Sequence, residues 1–486
     1  MANYYISSLV GSDATGDGSI GSPWATFLAV NSGALWARGN NILVQRGSVI
    51  LVGPTTRANI NVTSGSGRCV LSAYGSGALP VIDGFYATHN PVWVRGGSAI
   101  DISNINVTQS ASAGLKVSPL SGNSVDDVTL TNVTAYENGL IGSTGSGATG
   151  ILVTREVGGV ACTNVIVTDC IAQANRGHGI KFSDCATGRV VLSRAVGNGT
   201  GAPAHGMGTV GAYTWLSLST AWTNVSGNIW SITVGALGST VNGQSTTATQ
   251  NIIDWLAVGA GDSASITTAA QTHLTKSATP ATPGINEFGI SGANTLLVNF
   301  GGTDPRTLFI KGAYNTPSVV FDRCVSSGTL DYNGFEGSGF QFDDLTIGCT
   351  VRNCQSTGNQ GYGFVGYGGV GNRCVQSILS NNTKGGAFAL TTKNMKIIGN
   401  TIDSNTGPAI STHKGVTTTA MKNAITNHAV GFQSNSATEY LINENENEYY
   451  NVTTLRTNVA AGSKTVALTA VKRLAYKATS RKVSIA

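Results

Sequence analysis

The sequence predicts an all-β chain wound as a single-stranded parallel β-helix. A short helix caps its N-terminal end, and a small β domain is inserted between coils. Three observations carry that expectation. A pattern of about two dozen residues recurs along the chain, the composition is rich in Gly, Ser, Thr, Asn and Val, and a helix start signal precedes the first repeat.

Residues 1–45 read as an N-terminal strand and the capping helix. Ser22-Pro23 ahead of WATFLAVNSGALWARGN is a start signal, with Ser22 as N-cap and Pro23 at the first helical position. Trp24, Phe27, Leu28, Leu35 and Trp36 supply an apolar face. Such a face would cover the first coil, whose core and strand edges otherwise stand open.

Residues 46–210 and 313–450 read as the first and second parts of the β-helix. Segments such as VTLTNVTAYENG (128–139), TVRNCQSTGNQGYGF (350–364) and KIIGNTIDSNTGPAI (396–410) share an apolar alternation, a polar turn with Asn, then Gly and a second alternation. Aligned, they place Asn138, Asn175, Asn198, Asn359, Asn382, Asn405 and Asn427 in one column, with spacings of 37, 23, 161, 23, 23 and 22. Strands of four to six residues separated by turns fit one coil per repeat, and coils about 4.8 Å apart stack equivalent positions into ladders. Each Asn amide can then donate to the carbonyl of the next while satisfying backbone groups of the turn. Ile151, Ile180, Met207, Phe340, Phe364, Phe388 and Ile410 form an expected interior row. Cys170, Cys324 and Cys354 fall in another.

The exceptional spacings locate insertions. The gap of 37 holds a glycine-serine loop around LIGSTGSGATG. The gap of 161 holds residues 211–312, with Trp215, Trp222, Trp230 and Trp255, read as the inserted β domain. Residues 451–486 alternate like a strand pair, carry seven Lys or Arg and no acid, and read as a C-terminal cap.

Composition narrows the function. Lys+Arg 29 against Asp+Glu 24 leaves +5, dispersed without a basic run, which argues against nucleic acid as a partner. No stretch of 18 apolar residues appears, so membrane insertion is not expected. The first residues lack the basic and apolar regions of a signal peptide. Eight cysteines without C-x-x-C spacing indicate neither a metal site nor a disulfide framework, and read as buried thiols of a chain made in a reducing cytoplasm.

The entry segment YYISSLVGSDATGDGSIGSPWATFLAV with NNILVQRGSVI resembles that of the right-handed parallel β-helix, pectate-lyase-like superfamily. GSGFQFDDLTIGCTVRNCQSTGNQGYGF (337–364) resembles the G-D-G-x-Q-F-D-[DE] coil of the same superfamily, with Ser338 in place of the usual Asp, and NENEYYN (445–451) resembles its last coils. The resemblance implies a right-handed helix. It spans lyases, hydrolases, epimerases and adhesins, so it leaves the activity open. The lack of a leader favours the bacteriophage tailspikes of the superfamily, and these imply a homotrimer docked to other virion tail proteins.

Chemistry is expected on the strand after the Asn turn. Aligning Gly179, Gly206, Gly339 and Gly363 stacks His178 and His205 one coil apart, continued by Ser338 and Tyr362. Lys181 and Gln341 share an outward row, as do Ser183 and Asp343, with Asp184 and Asp344 next; Asp331 and Glu336 lie in the preceding long turn. Paired carboxylates about 5–5.5 Å apart retain, and about 6.5–9.5 Å apart invert, configuration in glycoside hydrolysis, and coil spacing supplies such distances. Glu336, Asp343 and Asp331 are therefore the candidate catalytic acids. His178, Lys181, His205, Gln341, Asp344 and Tyr362 are the candidate substrate contacts. The plain alternatives are an Asp343-Asp344 doublet that binds corner amides and histidines that only pack. The expected protein is a virion tailspike, made in the host cytoplasm, that binds and depolymerises a host surface polysaccharide without metal or cofactor, by hydrolysis in preference to elimination. The rival readings are a non-enzymatic structural or adhesive spike and a secreted bacterial polysaccharide lyase or hydrolase.

Overall fold

Alternating apolar residues and two-residue corners wind most of this chain into one continuous sheet of 32 strands. The computed structural model describes residues 2–457 except 63–64, 141–147, 156–161, 184, 186, 202–203, 211, 216–221, 234–238, 242–243, 247–252, 260–271, 277–281, 284, 286, 292–294, 302, 306–308, 315–317, 332–336, 344–345, 391, 393, 414–416 and 435–440. The coils have three faces. One coil supplies Cys162–Thr168 to the first face, Ile171–Gln173 to the second and Ile180–Ser183 to the third. Each strand pairs in parallel with its equivalents in adjacent coils: Val165 with Gly188, Ile171 with Arg194, Ile180 with Met207. The expected right-handed parallel β-helix is the fold this chain adopts.

Corners explain the repeat. Between first and second faces a residue with positive φ (Asp169, Arg323, Asn353) is followed by a buried one (Cys170, Cys324, Cys354), so the predicted cysteine column forms. Between second and third faces the buried residue is the column Asn. Asn359 Nδ2 donates to Asn382 Oδ1 at 2.9 Å, and Asn382 Nδ2 to Asn405 Oδ1 at 2.9 Å. The backbone N–H of each is also received by the next carbonyl oxygen, at 3.2 and 2.9 Å. Asn138, Asn175 and Asn198 repeat the arrangement. Thr329 takes the place of Asn in the coil between, and its N–H donates to Asn359 Oδ1. Asn427 is not in the ladder. It adopts the positive φ of 55° that Asn tolerates, so His428 is the buried residue, 3.3 Å from Asn405 Nδ2. A second ladder, Asn400–Asn423–Asn447, stands at the other corner.

The interior row runs Ile151, Ile180, Met207, Phe340, Phe364, Ala387, Ile410 and Phe432. Phe388 was expected there, but the strand register sets Phe364 against Ala387. Its ring lies half-buried outside, stacked on Tyr362 at 4.8 Å. A small residue after two stacked phenylalanines suits a core of fixed cross-section.

The helix covers only Leu28–Ser32, shorter than the Ser22 signal implies. Trp24 is drawn into a bridge with Ile6, and Asp13 accepts from the N–H groups of Ala25 and Thr26, which holds the segment extended. Trp24, Phe27 and Trp36 are buried, whereas Leu28 is exposed.

The rod is continuous across the longest gap, because Thr187–Val191 pairs directly with Ser318–Asp322. Eight of the strands between 212 and 314 form a separate, mostly antiparallel sheet, and two more, Ser239–Val241 and Gln244–Thr246, pair with each other. The glycine-serine loop at 141–147 and the C-terminal segment beyond 457 lie outside the described residues.

All eight cysteines are free thiols and buried. Burial pushes Cys69, Cys170, Cys349 and Cys374 up to about 12. The folded protein is therefore expected to resist Ellman's reagent, with all eight thiols reacting only after unfolding. Rapid reaction of several in the native state would contradict this packing.

Candidate functional site

The third face gathers the side chains singled out above. Its geometry begins with glycine. A Cβ at Gly339 would lie 2.9 Å from Asn359 Nδ2 and 3.0 Å from Gly363 O, and one at Gly179 would lie 2.8 Å from Asn198 Nδ2. Only glycine lets the turn approach the Asn ladder so closely. Backbone bonds from Gly179 to His205 O, Gly206 to Ser338 O and Gly339 to Tyr362 O then hold the preceding residues in a vertical column.

His178 and His205 therefore stack, ring centroids 5.4 Å apart. The His205 backbone N–H donates to His178 Nδ1 at 3.1 Å, which assigns the neutral ring's hydrogen to Nε2. That Nε2 stands 3.4 Å from Lys181 Nζ. Burial, then Lys181 and His205, hold His178 well below the ordinary imidazole range. Burial first, then Lys181, lowers His205 to about 3, with nearby Asp331 opposing and Lys384 reinforcing. Both rings are thus neutral at pH 7. Imidazoles so weakly basic serve as hydrogen-bond partners and not as proton acceptors in a reaction.

Lys181, Gly208 and Gln341 occupy one outward row in successive coils. Asp343 follows Phe342, and its N–H donates to Thr209 O at 2.8 Å. His178, Lys181, His205, Gly208, Thr209, Gln341 and Asp343 line one shallow, open depression with a volume of about 10 Å3, room for one small polar group. Gly208 makes room for it, because it puts no side chain between Lys181 and Gln341.

Asp331 sits at the edge of this group, its carboxylate 2.5 Å from Lys384 Nζ. Tyr362 is two coils from His205 in the column and leans on Phe388, outside the depression; burial raises its phenol. Glu336 and Asp344, with Asp184, lie outside the described residues.

Sequence reasoning missed Lys384. A signal existed, because Lys384 follows Asn382 by two residues as Asp331 follows Thr329, and the intervening Gly361 bears no side chain. Lys384 N–H donates to Gly361 O at 3.0 Å, so the two charges meet across one bare coil.

A continuous three-faced parallel coil with a polar depression on its third face defines a β-helix protein with a surface cleft. The family model for the right-handed beta helix region matches residues 38–221 and 310–471, and the chain belongs to this family. A comparison with curated protein sequences found no match. Among solved structures the chain is similar to a GH136 lacto-N-biosidase of Eubacterium ramulus, at 11% identity over 92% of this chain and 68% of that one, TM-score 0.47. It is similar to the pectate lyase Pel9A, at 13% identity over 95% and 79%, TM-score 0.39. It is also similar to the Dettilon tailspike protein, at 11% identity over 90% and 66%, TM-score 0.40.

Proposed function

We propose that this protein binds a host cell-surface polysaccharide along its third face and depolymerises it at the cleft, as a trimeric tailspike-like component of a virion tail. One observation carries the reading. His178, Lys181, His205, Gln341 and Asp343 converge from three successive coils on one outward depression of the third face. Lys181 and the two neutral imidazoles supply donors and acceptors for hydroxyl or acidic groups of a sugar. Asp343 supplies a carboxylate for proton transfer, and Glu336 or Asp331 is the candidate partner acid.

A second reading, an adhesive spike without catalysis, has its own support. Asp331 is ion-paired to Lys384, which leaves Asp343 as the sole carboxylate lining the depression among the described residues.

Incubation with the host's capsule or O-antigen separates the two. New reducing ends would report hydrolysis, and ultraviolet absorbance of an unsaturated product would report elimination. Asp343→Asn and Glu336→Gln are expected to abolish cleavage while retaining binding. Lys181→Ala is expected to weaken binding about tenfold. Binding without any product selects the adhesive reading, and unchanged turnover in both acid variants removes the catalytic assignment.

A further inference from the structure

Three cations surround one indole higher on the same face. The ring of Trp93 has the Arg57 guanidinium 4.8 Å from its centroid, that of Arg95 at 4.7 Å and Lys116 Nζ at 5.4 Å. Cation–π contacts of significance occur about once per 70–80 residues, so three on one ring is a concentration that ordinary surface packing does not account for. The strands place it: Trp93 pairs with Asn59 above and Lys116 below, on neighbouring coils.

Two members of the cluster are anchored by hydrogen bonds. Trp93 Nε1 donates to Ser118 O at 3.2 Å, and Arg57 donates to Asn59 Oδ1 and His89 O. The cluster's two guanidinium groups are also uncompensated. Neither Arg57 nor Arg95 makes an ion pair among the described residues, and the buried Arg95 Nε has no hydrogen-bond partner there. Burial, and then the charge of Arg95, lower the Arg57 pKa, so the two guanidinium groups repel across partly desolvated space.

From Trp93 the outward row runs through Lys116 and Leu152 to Lys181 at the cleft. Three coil steps make this about 14 Å. We infer that Arg57, Trp93, Arg95 and Lys116 form a second subsite, which takes an anionic substituent of the same glycan chain whose other sugars occupy the cleft. This rests on the glycan-binding reading and deepens it, because it assigns an acidic polysaccharide. Guanidinium groups held in a fixed fork geometry are suited to bidentate contact with carboxylate or sulfate oxygens, and an anion there relieves the mutual repulsion.

Affinity electrophoresis of the full chain through gels containing dextran, dextran sulfate or polygalacturonate tests this. The expected result is retardation by at least one acidic polymer about tenfold stronger than by dextran, weakened by salt. The arm that retards identifies sulfate or carboxylate. In the Arg57→Gln/Arg95→Gln double variant the preference for acid should vanish while the melting temperature stays within a few degrees. Equal retardation by dextran and the acidic polymers, or a double variant that keeps the preference, overturns the subsite and leaves the glycan reading standing. Absence of retardation by every polymer, together with no binding of the host glycan, removes both. Retardation by single-stranded DNA as strong as by the acidic glycans overturns the glycan assignment in favour of a general polyanion surface.

Discussion

Replacing Asn382 with alanine is expected to lower the unfolding free energy by about 3–5 kcal/mol. The side chain is fully buried and makes four bonds. Its Oδ1 accepts from the N–H and Nδ2 of Asn359, and its Nδ2 donates to Asn405 Oδ1 and to Ser356 O. Alanine leaves the Asn359 N–H buried without a partner and removes one bond each from Asn359 Nδ2, Asn405 Oδ1 and the Ser356 carbonyl. An unpaired buried donor costs about 1–3 kcal/mol, and each further lost bond costs about 1 kcal/mol. Exposed Thr383, one residue later, is the control; its replacement by alanine should stay within about 0.5 kcal/mol. Chemical unfolding monitored by circular dichroism reads both. Equal effects of the two substitutions would mean that the ladder contributes little to cohesion.

Acidification should also destabilise the protein, and His205 sets the window. Its folded pKa of about 3 lies below the ordinary value of 6.5. Between these values the unfolded chain binds a proton that the native state refuses. Stability is therefore full above about pH 6.5 and falls as pH drops towards 3. From pH 7 to 4 the His205 contribution is about 3 kcal/mol, and His178 and His428, lowered in the same direction, add to it. In His205→Gln the difference in stability between pH 7 and pH 4 should shrink by that amount, whatever the variant's stability at pH 7. An unchanged difference would show that the ring is protonated in the native state and that the cleft is wetter than its packing indicates.

Periodicity made the rod legible before any coordinate. Asn359, Asn382 and Asn405 stack as their spacing of 23 implies, and His178 lies beside His205 because both precede a glycine that must touch the ladder. Local propensity was a poorer guide. Ser22-Pro23 reads as a helix start, yet Asp13 and Ile6 hold that segment in bridges. Asn427 reads as a ladder member, yet it lies one residue early, where a left-handed corner needs Asn for a different reason.

Where coils have equal length, separation along the chain converts directly into height along the axis, so vertical neighbours could be counted from the residues alone. That arithmetic settled the coil, its two corners and the row that holds Lys181 and Gln341. It fails wherever a turn varies in length or a side chain reaches sideways or past a neighbour. The pairing of Asp331 with Lys384, the outward swing of Phe388 and the gathering of Arg57, Arg95 and Lys116 about Trp93 depend on which space neighbouring atoms leave open, and only the folded coil decides them.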